Sequence, residues 1–399
     1  MEVYLNMDIG DPARYNAEPC DAKWVDSVCA KCADHGVKKL FWRTSLGRAY
    51  YQSKVVPPVD RDCGQRWQRV AEVLERMDPL AVAVEKAHKH GIELWAWWPF
   101  SETHVVRGDL NFIDPFYAKR LDLFWCNRDG SRHFLGHPCP AEPEVHQRIE
   151  LMAQELSNDY QVDGILMSTR THCTVPGESR RGLVPYTADE FGYNWPIVEE
   201  FRRRYGVDIT REDFDQEKWH RLKGEYLTRL FHTVKAVLDQ RDKKLWVDVS
   251  PQRYRFISNL SDERDVTPIY QDWKEWVQSG AVEGIVAVTP RNDSPEASIV
   301  DMSPIRTEVP DNLYCWIMCM ANRPVAERKG HLRLENMLIR SAETYERILE
   351  MAKEAGARGV IGHEMYTVLF TDWSGQEVNP VPDDPKAYWS VIKKMHDRG

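Results

Sequence analysis

Eight short runs of apolar, β-branched or aromatic residues recur along this chain, the seven after the first each entered from a glycine-containing or polar turn. The runs are EVYLNMD (2–8), VKKLFWR (37–43), IELWAWW (92–98), VDGILMS (162–168), KLWVDVS (244–250), EGIVAVT (283–289), NLYCWIMCM (312–320) and GVIGHE (359–364). A run that is apolar at consecutive positions belongs to a strand buried on both faces, which is the condition of a parallel sheet covered by helices. Helical spacing over 22–35, 67–90, 145–158, 197–240 (long enough for two helices), 273–279, 342–354 and 387–396 supplies that cover. Eight such units in 399 residues fit a closed (β/α)8 barrel, the TIM-barrel class of α/β fold, better than an open doubly wound sheet. The first run leads into DIGDPARYN, which lacks the G-x-G-x-x-G turn that a nucleotide-binding open sheet carries there.

The connections are unequal. Turns entering the runs are short (HGV, HGI, QVDG, DKK, AVEG, GARG), whereas 44–64, 99–143, 169–196 and 321–340 are long segments leaving them. Long connections at strand C-termini are what a barrel with a site on its C-terminal face requires. No linker divides the chain, so 1–399 is expected to be a single barrel, with 374–389 as the last loop before a closing helix.

Charge and composition narrow the partners. With 53 Lys and Arg against 62 Asp and Glu, and no basic block, nucleic acid is not expected as a ligand. No apolar run approaches the roughly 18 to 20 residues of a membrane span, and MEVYLNMD does not read as a signal peptide, with a leader removed ahead of it left as an open alternative. Nine cysteines suit buried thiols and the cytoplasm; the substrate class inferred below would suit secretion or the periplasm, so the compartment stays open, as does the oligomeric state. Fifteen tryptophans exceed what core packing asks for and suit stacking on ring-shaped ligands.

In a barrel, chemistry gathers where strands end. Those positions hold Asp8, Arg43, Trp98 followed by Glu102 and His104, Ser168 followed by Arg170 and His172, Asp248 and Ser250, Thr289 and Arg291, Met320 and Asn322, and His363 with Glu364. Carboxylates for acid–base or nucleophilic work, Arg and His for hydroxyls or an acidic substituent, and aromatic faces for the apolar side of a pyranose together suit a sugar. Strands 1 and 8 are neighbours in a closed barrel, which sets Asp8 and Glu364 at roughly 5 Å, near the spacing of a retaining pair; Asp248 would face Glu364 across a wider gap. Each residue also has a plainer role: Asp8 capping the next segment or holding Arg14, Glu364 pairing with Arg43 or Arg358, Glu102 as solvent-facing charge, Arg170 neutralising a neighbouring carboxylate.

Other chemistries are weaker. Cys29 and Cys32 of CAKC fall on the apolar side of the first helix with no second C-x-x-C, so core thiols are expected. His133, His137 and Cys139, with His172 and Cys173, are the densest metal-type cluster, but no H-E-x-x-H occurs and no metal or cofactor is expected. Neither Ser168 nor Ser250 lies in G-x-S-x-G. The triplet Arg202 to Arg204 is expected on a salt-bridged helix face ending at Gly206.

Three segments resemble one family: GIELWAWWPFSE, YQVDGILMSTRTH and ADEFGYNWPIVEEFRRRYGVDITREDFDQEKWHRLKGEYLTRLF are similar to the glycosyl-hydrolase-like-10 group of bacterial TIM-barrel proteins. The resemblance implies a (β/α)8 barrel, a poly- or oligosaccharide substrate and no cofactor. The group commonly ends its fourth strand in Asp, in a D-G-I-x-x-D pattern; here that position is Ser168, while Asp163 matches the first Asp and is expected to be structural at the barrel's lower end.

The expected function is glycoside hydrolysis. Glu364 is expected as general acid/base, Asp8 or Asp248 as nucleophile or base, with Glu102 in reserve. Arg43, Arg170, His104, His172, His363 and Asn322 would bind hydroxyls or an acidic or sulfated group, and Trp98, Tyr193, Trp316, Tyr366 and Trp373 would stack. Two alternatives remain: a barrel that binds carbohydrate without cleaving it, and a metal-dependent hydrolase or lyase on the same rim.

Overall fold

In the computed structural model all eight runs are strands, and all eight hydrogen-bond in parallel around one closed ring. The structure describes residues 1–103, 113–169, 189–251, 253–254, 268–288, 302–322, 337–363, 369–370 and 384–398. The barrel strands are β1 (Glu2–Met7), β2 (Lys39–Arg43), β3 (Glu93–Trp98), β4 (Gly164–Ser168), β5 (Lys244–Val249), β6 (Gly284–Val288), β7 (Leu313–Met318) and β8 (Gly359–His363). Each pairs with its sequence neighbours, and β1 pairs with β8 to shut the ring.

Around it lie α1 (Ala22–Asp34), α2 (Gln68–Arg76), α3 (Pro79–Lys89), α4 (Pro143–Gln154), α5 (Trp195–Tyr205), α6 (Gln216–Asp239), α7 (Trp273–Gln278), α8 (Ser303–Glu308), α9 (Ala342–Glu354) and α10 (Pro385–Asp397). The periodic stretch 67–90 is two helices, not one. Asp78 accepts hydrogen bonds from the Leu80 and Ala81 amides and Pro79 opens the new helix, so the local chemistry restarts what periodicity runs together. Gly206 ends α5 in the left-handed conformation (φ 71°), its N–H on the Arg202 carbonyl, as expected. Arg202, Arg203 and Arg204 pair with Glu199 and Glu200 on the same helix, with Asp208 just beyond it and with Glu225 on α6.

Helix α8 and three small hairpins were not anticipated: Ser45–Leu46 with Arg48–Ala49, Phe124–Cys126 with His133–Pro138, and Met320–Asn322 with Met337–Ile339. Among the described residues no helix is long and apolar enough to cross a membrane.

Strand alternation sorts each run into an outer row against the helices and an inner row inside the barrel. Cys29 and Cys32 sit on the buried face of α1, and burial pushes the Cys29 thiol up to about 12. The inner row is aromatic below and polar above. Tyr4, Phe41, Trp95, Trp97, Leu166, Trp246, Val286, Val288, Trp316 and Ile361 form one interior cluster. Near the lower end the Lys39 ammonium lies 3.7 Å from the Trp95 ring centroid and 4.6 Å from that of Trp246, and pairs with Glu93 at 2.9 Å. Burial lowers its pKa while Glu93 opposes that. Gly164 and Gly284 leave room for the two indoles: an added Cβ at either would lie 2.7 Å from the Trp95 or Trp246 ring. Asp163 accepts the Leu94 amide at 2.7 Å and contacts His88 Nε2 at 2.8 Å, joining β3 to the start of β4.

Candidate active site

Two steps further along the inner row, the same alternation that stacks rings below brings Asn6, Arg43, Ser168, Asp248 and His363 to the upper, C-terminal end. Asp8 follows β1 directly. Arg43 ends β2 and holds two carboxylates at once: its Nη1 donates to Asp8 Oδ2 at 2.7 Å and its Nη2 to Glu102 Oε2 at 2.9 Å. Its Nε donates to the Ser45 carbonyl at 3.0 Å, and the guanidinium carbon lies 4.9 Å from the Trp97 ring centroid. These side chains are nearly dry, 3% exposed for Arg43, 7% for Asp8 and 1% for Glu102. Burial works against the Arg43 charge, and Asp8 and Glu102 more than offset it, holding the guanidinium protonated.

Asp8 is fixed further by the Gly10 amide, 3.0 Å from Oδ1. Arg14, offered by the sequence as a partner for Asp8, pairs with Asp11. The Tyr50 phenol lies against this corner: a Cβ on Gly10 would be 2.9 Å from Tyr50 Oη and 3.0 Å from Asp8 Oδ1. Burial first, and then the Asp8 charge, keep that phenol protonated well above its ordinary range.

Asp248 occupies the inner end of β5 and is fully buried. Its Oδ1 accepts the Thr169 amide at 2.7 Å and the Thr169 hydroxyl at 3.3 Å, while that hydroxyl also lies 2.9 Å from the Asp248 carbonyl. Asp248 is also the register partner of Ser168. The carboxylate missing from the end of β4 therefore has a counterpart one strand over, at the same height.

On the far side, His363 ends β8. Its ring centroid is 4.6 Å from that of Trp316 on β7 and 5.4 Å from that of Trp97 on β3, and its Nδ1 is 2.9 Å from Asn6 Nδ2 on β1.

Of the residues singled out from sequence, the structure brings Asp8, Arg43, Glu102, Asp248 and His363 to this end, with Trp316 beneath His363. Trp98 is buried in the outer cluster; strand parity gives the inner place to Trp97. Tyr193 is half-buried, its ring 4.7 Å from Trp219, and lines a separate open groove of about 440 Å³ with Asn127, Arg128, Asp129, Asp189, Glu190 and Thr210. Asn322 closes a hairpin strand opposite Met337. His104, Arg170, His172, Glu364, Tyr366 and Trp373 lie outside the described residues, as do Thr289, Arg291 and Cys173. Sequence reasoning missed Asn6, Tyr50, Trp97 and Thr169. The signal for Asn6 was present, since it is a polar residue two positions before Asp8 in an otherwise apolar run.

His137 and Cys139 are buried, with the His137 ring stacked on Phe134 at 4.8 Å. Among the described residues no group of three or more His, Cys, Asp or Glu side chains gathers to hold a metal.

A closed parallel barrel with carboxylates, an arginine and aromatic rings gathered at its C-terminal mouth is of the glycoside-hydrolase-like TIM-barrel class. Residues 40–304 match the family Glycosyl hydrolase-like 10, and the chain belongs to that family. It is 23% identical over 268 residues to Glycosyl hydrolase DigH of Escherichia coli K12, covering 63% of this chain and 54% of that protein. Glycosyl hydrolase YngK of Bacillus subtilis is 22% identical over 219 residues, 52% of this chain and 38% of that one. The chain thus spans about half the length, or less, of these curated relatives. The fold extends further: the catalytic domain of β-amylase from Paenibacillus polymyxa superposes with a TM-score of 0.60 at 10% identity, over 99% of this chain and 98% of that one. The PgaB (BpsB) glycoside hydrolase domain of Bordetella bronchiseptica gives 0.58 at 15% identity, over 98% and 99%.

Proposed function

We propose that this chain is a glycoside hydrolase that cleaves a poly- or oligosaccharide with carboxylates at the C-terminal mouth of the barrel. The observation that carries this reading is the gathering of Asp8, Glu102 and Asp248 at one end of the ring, each held by fixed donors in a nearly dry setting. Asp8 and Glu102 share the guanidinium of Arg43, which draws off their charge, so Asp248 takes the role of nucleophile or base. Glu364 is left as general acid, the second carboxyl that the two-carboxylate reaction needs. Arg43 serves Asp8 and Glu102, so an acidic or sulfated sugar would have to be met by other cations, of which Arg170 is one.

A screen of polysaccharides and chromogenic glycosides tests the reading, repeated on Glu364→Gln, Asp248→Asn and Asp8→Asn. We expect a substrate cleaved by the wild type, with turnover reduced at least about 100-fold in Glu364→Gln and Asp248→Asn; full turnover in all three variants would refute the assignment. Ser168, where the family's Asp is expected, favours the second reading of a barrel that binds glycans without cleaving them. That reading predicts glycan affinity without product, and affinity nearly unchanged in Glu364→Gln.

A further inference from the structure

We infer that the groove at Tyr193 is a second carbohydrate-binding site, outside the barrel mouth, that holds a neutral stretch of a glycan chain. That its occupant is a glycan rests on the glycosidase reading above; the shape and charge of the groove do not. At about 440 Å³ the groove falls within the roughly 300–1,000 Å³ of small-ligand sites. Its walls come from the connections that leave β3 and β4, which emerge at the same end of the barrel as the mouth, and from the turn between α5 and α6.

The floor is held by backbone pairing. Asn127 and Phe191 form an antiparallel bridge, and the Gly192 and Tyr193 amides both donate to the Cys126 carbonyl, at 2.9 and 3.1 Å. Asn194, 2% exposed, turns its side chain inward: Oδ1 accepts the Cys126 amide at 3.1 Å, and Nδ2 donates to the Phe124 carbonyl at 2.9 Å and to Glu142 Oε1 at 3.0 Å. The Trp219 indole donates to the Gly192 carbonyl at 3.0 Å while its ring backs that of Tyr193. A surface fixed in this way loses little freedom when a ligand settles on it.

An aromatic platform stands beside this floor. Asn194 is extended (φ −58°, ψ 145°), so the two residues from Tyr193 to Trp195 span no more than about 7 Å and Trp195 lies next to the groove. It is 69% exposed, and among the described tryptophans it alone is exposed. The others lie inside the fold or against it, so packing accounts for them and not for Trp195. The C–H face of a sugar ring is a partner that an open indole suits.

Charge selects the kind of sugar. Arg128 donates to the Glu212 carbonyl at 2.5 Å, with its guanidinium carbon 5.7 Å from the Phe214 ring centroid, and Glu190 pairs with Arg132. Asp189 lies 2.9 Å from His220 Nε2, and Asp129 accepts the Ser131 amide at 3.0 Å and hydroxyl at 2.6 Å. The lining sets three carboxylates, Asp129, Asp189 and Glu190, against the one guanidinium of Arg128. It therefore repels an acidic sugar and presents acceptors to sugar hydroxyls. A glycan anchored there raises the local concentration of the same chain at the mouth.

The test is carbene footprinting of the full chain, read by mass spectrometry, with cellohexaose, maltohexaose and chitohexaose as neutral probes and hexagalacturonate as the acidic one. The wild type and Asp248→Asn are both footprinted, the second so that a cleavable probe stays whole. At least one neutral hexasaccharide should protect the peptides carrying Asn127 to Asp129 and Tyr193 to Trp195, and hexagalacturonate should not. Trp195→Ala removes an exposed ring without opening the packed floor, and should weaken the affinity read from protection of those peptides on the order of 10-fold. Absence of groove protection by every neutral probe, equal protection by hexagalacturonate, or unchanged affinity in Trp195→Ala overturns the inference. A probe that is cleaved while the groove stays unprotected sinks this inference and spares the glycosidase reading; groove protection with no glycan ever cleaved does the reverse.

Discussion

At the scale of single residues the mouth is governed by one buried cation between two buried anions. Removing Arg43 strands Asp8 and Glu102 together, so Arg43→Met should cost about 3–5 kcal/mol in chemical denaturation. A loss below about 1 kcal/mol would mean that the carboxylates find other partners. Asp248→Asn keeps the shape and loses the charge: we expect a folded protein, near-wild-type glycan binding and turnover lowered at least about 100-fold. These residues were legible in the sequence because a charge inside or directly after an apolar run is costly without a purpose. What was not legible was direction. Trp97 and Trp98 are both large and apolar, and only the phase of the strand, set by its pairing with β2 and β4, decides that Trp97 faces inward. Nor does any spacing show that Arg43, rather than Arg14, meets Asp8, since the contact crosses from β1 to β2.

At the scale of elements, Gly164 and Gly284 are the small residues that let two indoles fill the lower barrel. Gly164→Ala puts a methyl 2.7 Å from the Trp95 ring and should destabilise by about 1–3 kcal/mol, measured by thermal melting, with the mouth chemistry unchanged at permissive temperature. Helix α5 offers a pH test. Arg203 and Arg204 hold the Glu200 carboxyl down to about 2 from its ordinary 4.5. A depressed folded-state pKa means that this stabilisation is complete above pH 4.5 and is lost as the pH falls from 4.5 through 2. Its surface setting limits it to about 0.5–1 kcal/mol. The stability gap between wild type and Glu200→Gln, followed by urea titration, should close over that range; a gap that widens toward acid would contradict the pairing. Strands and helices were legible from their periods, since burial on both sides leaves a long apolar signature. The break at Met77 to Pro79 shows the limit: helical spacing on both sides reads as one stretch, and the Asp78 cap with the following proline is what divides it.

For the whole molecule, ring closure was legible from eight repeats without a nucleotide-type turn, and the side bearing the site from which connections were long. The β1–β8 seam is what brings Asn6 and Asp8 to one mouth with His363, residues more than 350 positions apart in the chain. No local pattern encodes that distance; it follows only from the count of strands and their parallel order. The central claim is that this mouth hydrolyses a glycosidic bond. Its most direct test is cleavage of the screened glycan in H2 18O, with the new reducing ends weighed by mass spectrometry. The account predicts one 18O per bond broken in the wild type and almost no product from Asp248→Asn or Glu364→Gln; product without 18O, or undiminished cleavage in both variants, would contradict it.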